Sequence, residues 1–197
     1  MAESRRAANK TKCREKILKA SRRLFKSKGY DDTMIEDVAE KAEVSKATLY
    51  NYFPNKESLL AGTAEDEIQI LGQYLNTELA DVAASEEKIR KVLIFLIYDS
   101  IPFIGISRRI LYLNTCDASP LHKKGKPIRQ LFGQLIEAAQ REGTFKADLP
   151  AADILDLLMG IYLNSQFQWD EIETYTRQTC EEKVNHLLDL ALAGVYQ

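Results

Sequence analysis

Residues 33–56 read TMIEDVAEKAEVSKATLYNYFPNK, and the spacing of apolar and capping residues in this stretch decides the fold. Ile35, Val38, Ala39 and Ala42 recur at i, i+3, i+4 and i+7, which is one buried face of a short helix. Thr33 stands three residues before Glu36. That is the spacing of a capping box, in which hydroxyl and carboxylate each satisfy the other's backbone N–H. The chain then breaks at Glu43-Val44. Ser45 caps a second short helix over 46–53, which Pro54-Asn55 ends. Two short capped helices joined by a tight turn form a helix-turn-helix. In such a unit the second helix enters the major groove of DNA and the first packs across its back. Val44, Leu49 and Phe53 supply the anchoring side of the second helix. Lys46, Ala47, Tyr50 and Asn51 are left on its other faces.

Working outward, the spacing predicts a first helix over 9–28, with Ile17, Leu18, Leu24 and Phe25 on one side. Gly29 is its natural stop, because glycine takes the left-handed conformation at little cost. Residues 1–8 are expected to be a flexible basic arm; Arg5 and Arg6 are of a kind that enters a minor groove, but an arm without fixed contacts is the first expectation. Asn55 caps a fourth helix, expected over 56–79. Further helices are expected over 86–100, 105–117, 126–142, 151–172 and 176–195, punctuated by Pro102, Pro120, Gly143 and Pro150. No alternating strand pattern, internal repeat or low-complexity tract interrupts them. The expected fold is all-α. A three-helix DNA-binding domain over 9–56 is followed by a larger helical bundle for ligand binding and dimerisation over 57–197.

Charge divides along the same line. Residues 1–60 hold 14 Lys and Arg against 9 Asp and Glu, whereas residues 61–197 hold 13 against 20, although the whole chain carries a net charge of only −2. A basic first third on an acidic body suits contact with a polyanion. Other classes find little support. The most apolar run, 92–106, is broken by Asp99, Ser100 and Pro102, and the basic start lacks the apolar core of a signal peptide. A soluble cytoplasmic protein is expected, with no membrane partner. Cys13, Cys116 and Cys180 are scattered and form no disulfide framework. His122 and His186 have no Cys or carboxylate at ligand spacing, so neither a metal nor a cofactor is expected. No nucleophile elbow or phosphate-binding loop points to an enzyme.

The run from Thr33 to Leu60 resembles the DNA-binding domain of the TetR family. Its most distinctive parts are VSKATLYNYF (44–53) and NKESLL (55–60), and the preceding LFKSKGY (24–30) fits as well. The resemblance covers about residues 11–60; beyond them it is one of architecture. It implies a homodimer that binds double-stranded operator DNA, represses transcription and releases DNA when a small molecule binds. It assigns phosphate contacts to Thr33, Thr48, Tyr50, Tyr52 and Lys56, groups that fix position without reading sequence. Lys46, Ala47 and Asn51 face base edges, and Ser45 belongs to the same DNA-binding set. Thr33 also reads as a cap, and Tyr52 as part of the core. Glu43 stands where the family usually has glycine; a left-handed residue there costs roughly 1 kcal/mol.

In this family the later helices enclose an effector and pair with their copies. Here the expected pair is 151–172 and 176–195, whose apolar stripes suit burial against a partner. Ligand-lining candidates are Tyr98, Phe103, Tyr112, Phe132, Met159, Tyr162, Gln166 and Trp169, an apolar set with a placed polar group. Each aromatic in that set equally fits an ordinary helical core. The rival readings are a helical small-molecule carrier or enzyme without DNA binding, and an architectural DNA-binding protein without an effector.

Overall fold

The computed structural model describes residues 2–122 and 126–196, with side chains from residue 7 onward. The expected contacts of Arg5 and Arg6 therefore lie outside the described side chains. Nine α-helices run through the described residues: α1 Ala2–Lys28, α2 Ile35–Lys41, α3 Lys46–Tyr52, α4 Lys56–Thr77, α5 Ser85–Ser100, α6 Ile104–Asn114, α7 Lys126–Arg141, α8 Ala151–Phe167 and α9 Arg177–Leu192. Single 3-10 turns, Ile101–Phe103 and Ile172–Thr174, precede α6 and α9. Extended pairing among the described residues is limited to one antiparallel bridge between Phe145 and Tyr196. The fold is all-α, as the periodicity predicts.

Two compact units divide the chain, residues 1–67 with 109–124 and residues 68–108 with 125–197. The boundary at 56/57 expected from the sequence lies earlier, at the first residue of α4. In the first unit, Ile17, Leu18, Leu24 and Phe25 of α1 are buried together with Val38, Ala39, Leu49 and Phe53. The second unit is built around α5, whose Ile89, Val92, Leu93 and Ile97 are fully buried. Around α5 pack α7, α8 and α9, contributing Phe132, Leu158 and Leu188 to one apolar core.

Three sequence expectations need correction. Within the expected arm, residues 2–8 are helical, because their alanines and charged residues extend α1 back to Ala2 without a breaker. The capping box at Thr33 does not form. Met34 is the N-cap of α2 and makes no side-chain cap bond. Thr33 sits one residue too early to reach the first free N–H groups of α2. Its hydroxyl instead turns back and donates to the Gly29 carbonyl at 2.6 Å, and the residue is only 1% exposed. Finally, α8 stops at Phe167 rather than near 172, because the chain turns at Gln168 and takes a left-handed conformation at Glu171 (φ 50°).

Other signals match the structure. Ser45 caps α3, its Oγ accepting the Thr48 N–H at 3.0 Å, and Asn55 Oδ1 accepts the Ser58 N–H at 2.7 Å at the start of α4. Glu43 takes the left-handed conformation expected for the turn between α2 and α3, with φ 55°.

Candidate DNA-reading surface and effector core

Helix α3 is held by one face. Leu49 is fully buried, and the Phe53 ring, 4% exposed, plugs the end of the helix. Phe53 fits because α4 has no side chain at Gly62. A Cβ built there would lie 2.6 Å from Phe53 Cε1 and 2.9 Å from Leu18 Cδ2. The Arg14 guanidinium covers the Phe53 ring at 5.6 Å and pairs with Glu65 at 3.0 Å. Neither Gly62 nor Arg14 was singled out from sequence. A glycine inside an otherwise helical run was the available signal for the first.

With that face anchored, Lys46, Ala47, Tyr50 and Asn51 are exposed, and Ser45 lies exposed at the helix start. Thr48 is half-buried, and its hydroxyl bonds that of Ser45 at 2.8 Å. Lys46 Nζ lies 3.6 Å from Glu36 Oε1, an ion pair between α3 and α2. Tyr52 is half-buried, and its phenol is pushed up by burial, reinforced by a hydrogen bond with the Cys13 thiol.

Lys56 also makes contacts within the first unit. Its ammonium donates to the Asp31 carbonyl at 2.9 Å and lies 4.5 Å over the Tyr30 ring. Arg109 covers the same ring at 5.3 Å. Burial raises the Tyr30 phenol, and the charge of Arg109 opposes that rise. Lys56 thus ties the loop after α1 to the start of α4 and keeps two N–H donors free of that carbonyl. Thr33, buried with its hydroxyl engaged, is not a surface residue.

Of the effector-lining candidates, Phe132, Met159 and Trp169 belong to the core of the second unit, and Tyr98 and Tyr162 pack against it. Phe132 is fully buried, Met159 and Trp169 nearly so, and Tyr98, Phe103 and Tyr162 half-buried. Tyr112 is 63% exposed and belongs to the first unit, which removes it from an effector core. The buried residues of α6 are Ile106 and Ser107, and Tyr112 falls off the face they define. Trp169 Nε1 donates to Asn164 Oδ1 at 3.0 Å, and Lys183 Nζ stands 4.4 Å over the indole. Gln166 is fully buried and donates to the hydroxyl oxygens of Ser100 and Ser165.

Residues 17–63 match the model of bacterial regulatory proteins of the tetR family, and residues 102–196 match the SbtR-like transcriptional regulator C-terminal domain. This chain belongs to the TetR family. It is a DNA-binding transcriptional regulator, in a family of regulators rather than enzymes. Among its relatives, the transcriptional repressor NicS of Pseudomonas putida is 28% identical over 73% of this chain and 71% of its own length. The regulator SCO0520 of Streptomyces coelicolor superposes with a TM-score of 0.61 at 26% identity, covering 93% of this chain and 98% of its own. FadR of Bacillus subtilis, solved in complex with stearoyl-CoA, has the same fold with a TM-score of 0.73 at 18% identity, over 92% and 99%. Among the described residues, no helix is long and apolar enough to cross a membrane.

Proposed function

We propose that this chain, a ligand-responsive DNA-binding repressor of the TetR family, works in the cytoplasm as a homodimer. Its two α3 helices read the halves of a roughly palindromic operator. The observation that carries the reading is the division of α3 into a buried face, Leu49 with Phe53 behind it, and an exposed face of Lys46, Ala47, Tyr50 and Asn51. Lys46 donates to a guanine O6 or N7, Ala47 meets a thymine methyl, and Asn51 pairs with an adenine edge. Ser45, Thr48, Tyr50, Tyr52 and Lys56 hold phosphates and fix the register. Thr33 plays no direct part; it secures the loop that precedes α2.

The second copy docks on the outer faces of α8 and α9, where Leu157, Leu163, Phe167 and Leu190 are all at least 45% exposed. The core of the second unit binds the effector. The stearoyl-CoA held by the Bacillus subtilis FadR, which shares this fold, supports an effector with a long apolar portion. Selection of bound sequences from a random DNA pool tests the central reading. A two-fold symmetric consensus is expected, with half-sites one helical turn or more apart. Failure to enrich any sequence overturns it.

A further inference from the structure

Gln166 lies near the end of α8 and is fully buried. Its amide is fixed by chemistry, not only by fit. The Ser100 hydroxyl donates its single proton to the Ile97 carbonyl at 2.7 Å, and the Ser165 hydroxyl donates its own to the Tyr162 carbonyl at 2.6 Å. Both serine oxygens can then only accept. Gln166 Nε2 meets them at 3.0 Å and 3.2 Å and spends both its protons there. Turning the amide over would set its oxygen against two acceptors, so the observed orientation is the one the network requires. Its Oε1 is buried and accepts from no group among the described residues. A buried carbonyl oxygen of this kind is a standing demand for a donor.

The surroundings define what can supply it. Tyr162 and Met159 lie four and seven residues earlier, on the same face of α8, and Trp169 lies three residues later. Met159 and Trp169 belong to the apolar core. Arg108 donates through Nε to the backbone carbonyl of Gln166, not to its side chain. An ionised carboxylate has no proton to give Oε1 and would face it acceptor to acceptor.

We propose that Gln166 Oε1 is the polar anchor of the effector site. It accepts a hydrogen bond from a neutral, largely apolar effector that carries a hydroxyl or amide N–H. This rests on the reading of the second unit as an effector-binding core. The specificity is for a donor group, because a site built to hydrogen-bond one rejects the analogue that lacks it.

The test uses the full-length protein, the fluorescence of Trp169, the only tryptophan, and three probes: 1-decanol, methyl decanoate and decanoate. The parent is expected to bind decanol at least about tenfold more tightly than either other probe, the worth of one satisfied buried acceptor. Gln166→Met, close in volume and without the amide, should lose that preference while its thermal midpoint stays equal or rises. A midpoint that falls sharply is answered by Gln166→Leu, which removes the acceptor with a second apolar side chain and should also abolish the preference. Equal binding of decanol and methyl decanoate by the parent overturns the assignment. So does an unchanged preference in the folded variant, no binding of any probe, or a liganded crystal structure with only a water on Oε1. Operator release separates this claim from the one beneath it. Release by stearoyl-CoA that is indifferent to Gln166→Met keeps the effector reading and sinks the anchor. Decanol binding that depends on Gln166 but never releases DNA does the reverse.

Discussion

At the scale of single residues, Lys46, the proposed base reader, does not project alone. Glu36, half-buried, stands 3.6 Å from the exposed Lys46 Nζ, so the pair contributes little to folding but restricts where the ammonium points. Lys46→Ala is expected to cost about 1–3 kcal/mol of operator binding and to relax base preference at one position per half-site. Fluorescence anisotropy against operators varied one base pair at a time checks this. Unchanged affinity and preference would show that Lys46 reads nothing. Glu43 is the other residue whose chemistry strains against its place. Its left-handed backbone costs about 1–2 kcal/mol, of which glycine's greater freedom in the unfolded chain would cancel about 0.5–1. Its exposed pair with Lys16 at 3.2 Å adds almost nothing. Glu43→Gly should therefore stabilise the protein by about 0.5 kcal/mol in urea unfolding, and a loss of stability would mean that the turn is not strained.

At the scale of elements, the helix-turn-helix was legible because its signals are local. Caps at Ser45 and Asn55, the stop at Gly29 and the periodicity of α2 all act within a few residues. The Thr33 box misled because the same spacing can fall one residue outside a helix, where the hydroxyl serves a carbonyl instead. What holds α3 in place was not legible: Gly62 and Phe53 meet only after α4 folds back over the unit. Gly62→Ala should push Phe53 and Leu18 apart, destabilise the protein by about 1–3 kcal/mol, and weaken all DNA binding. Equal stability and affinity would show that the contact yields freely. A second element depends on a distant group. The Glu142 carboxylate accepts the Ser85 N–H at 3.0 Å and the Ser85 hydroxyl at 2.6 Å, capping the start of α5. Those bonds hold its carboxyl below its ordinary value. A depressed carboxylate contributes stability above its unfolded pKa, and that contribution is lost as pH falls through its folded one. Stability should fall more steeply with acidification in the parent than in Glu142→Gln, and parallel acid-unfolding curves would remove Glu142 from the account.

At the scale of the whole molecule, the sequence located the two long terminal helices but not which of their faces lies inward. Ile154 and Leu158 of α8, with Val184 and Leu188 of α9, turn into the core, which leaves Leu157, Leu163, Phe167 and Leu190 outside. These exposed apolar residues on α8 and α9 are what the proposed docking of a second copy would cover. Leu190, 64% exposed, is the cleanest probe, because charging it should leave the fold of each chain intact. Leu190→Glu is expected to shift the protein to monomers in sedimentation while helical content by circular dichroism stays the same. Each α3 would then hold only a half-site. Losing the second, tethered contact should lower operator affinity by about 10²–10⁴-fold, while binding to an isolated half-site changes little. A variant that remains dimeric and binds the operator as the parent does would place the partner on another face. A variant that turns monomeric yet keeps full operator affinity would instead break the link between dimerisation and DNA reading.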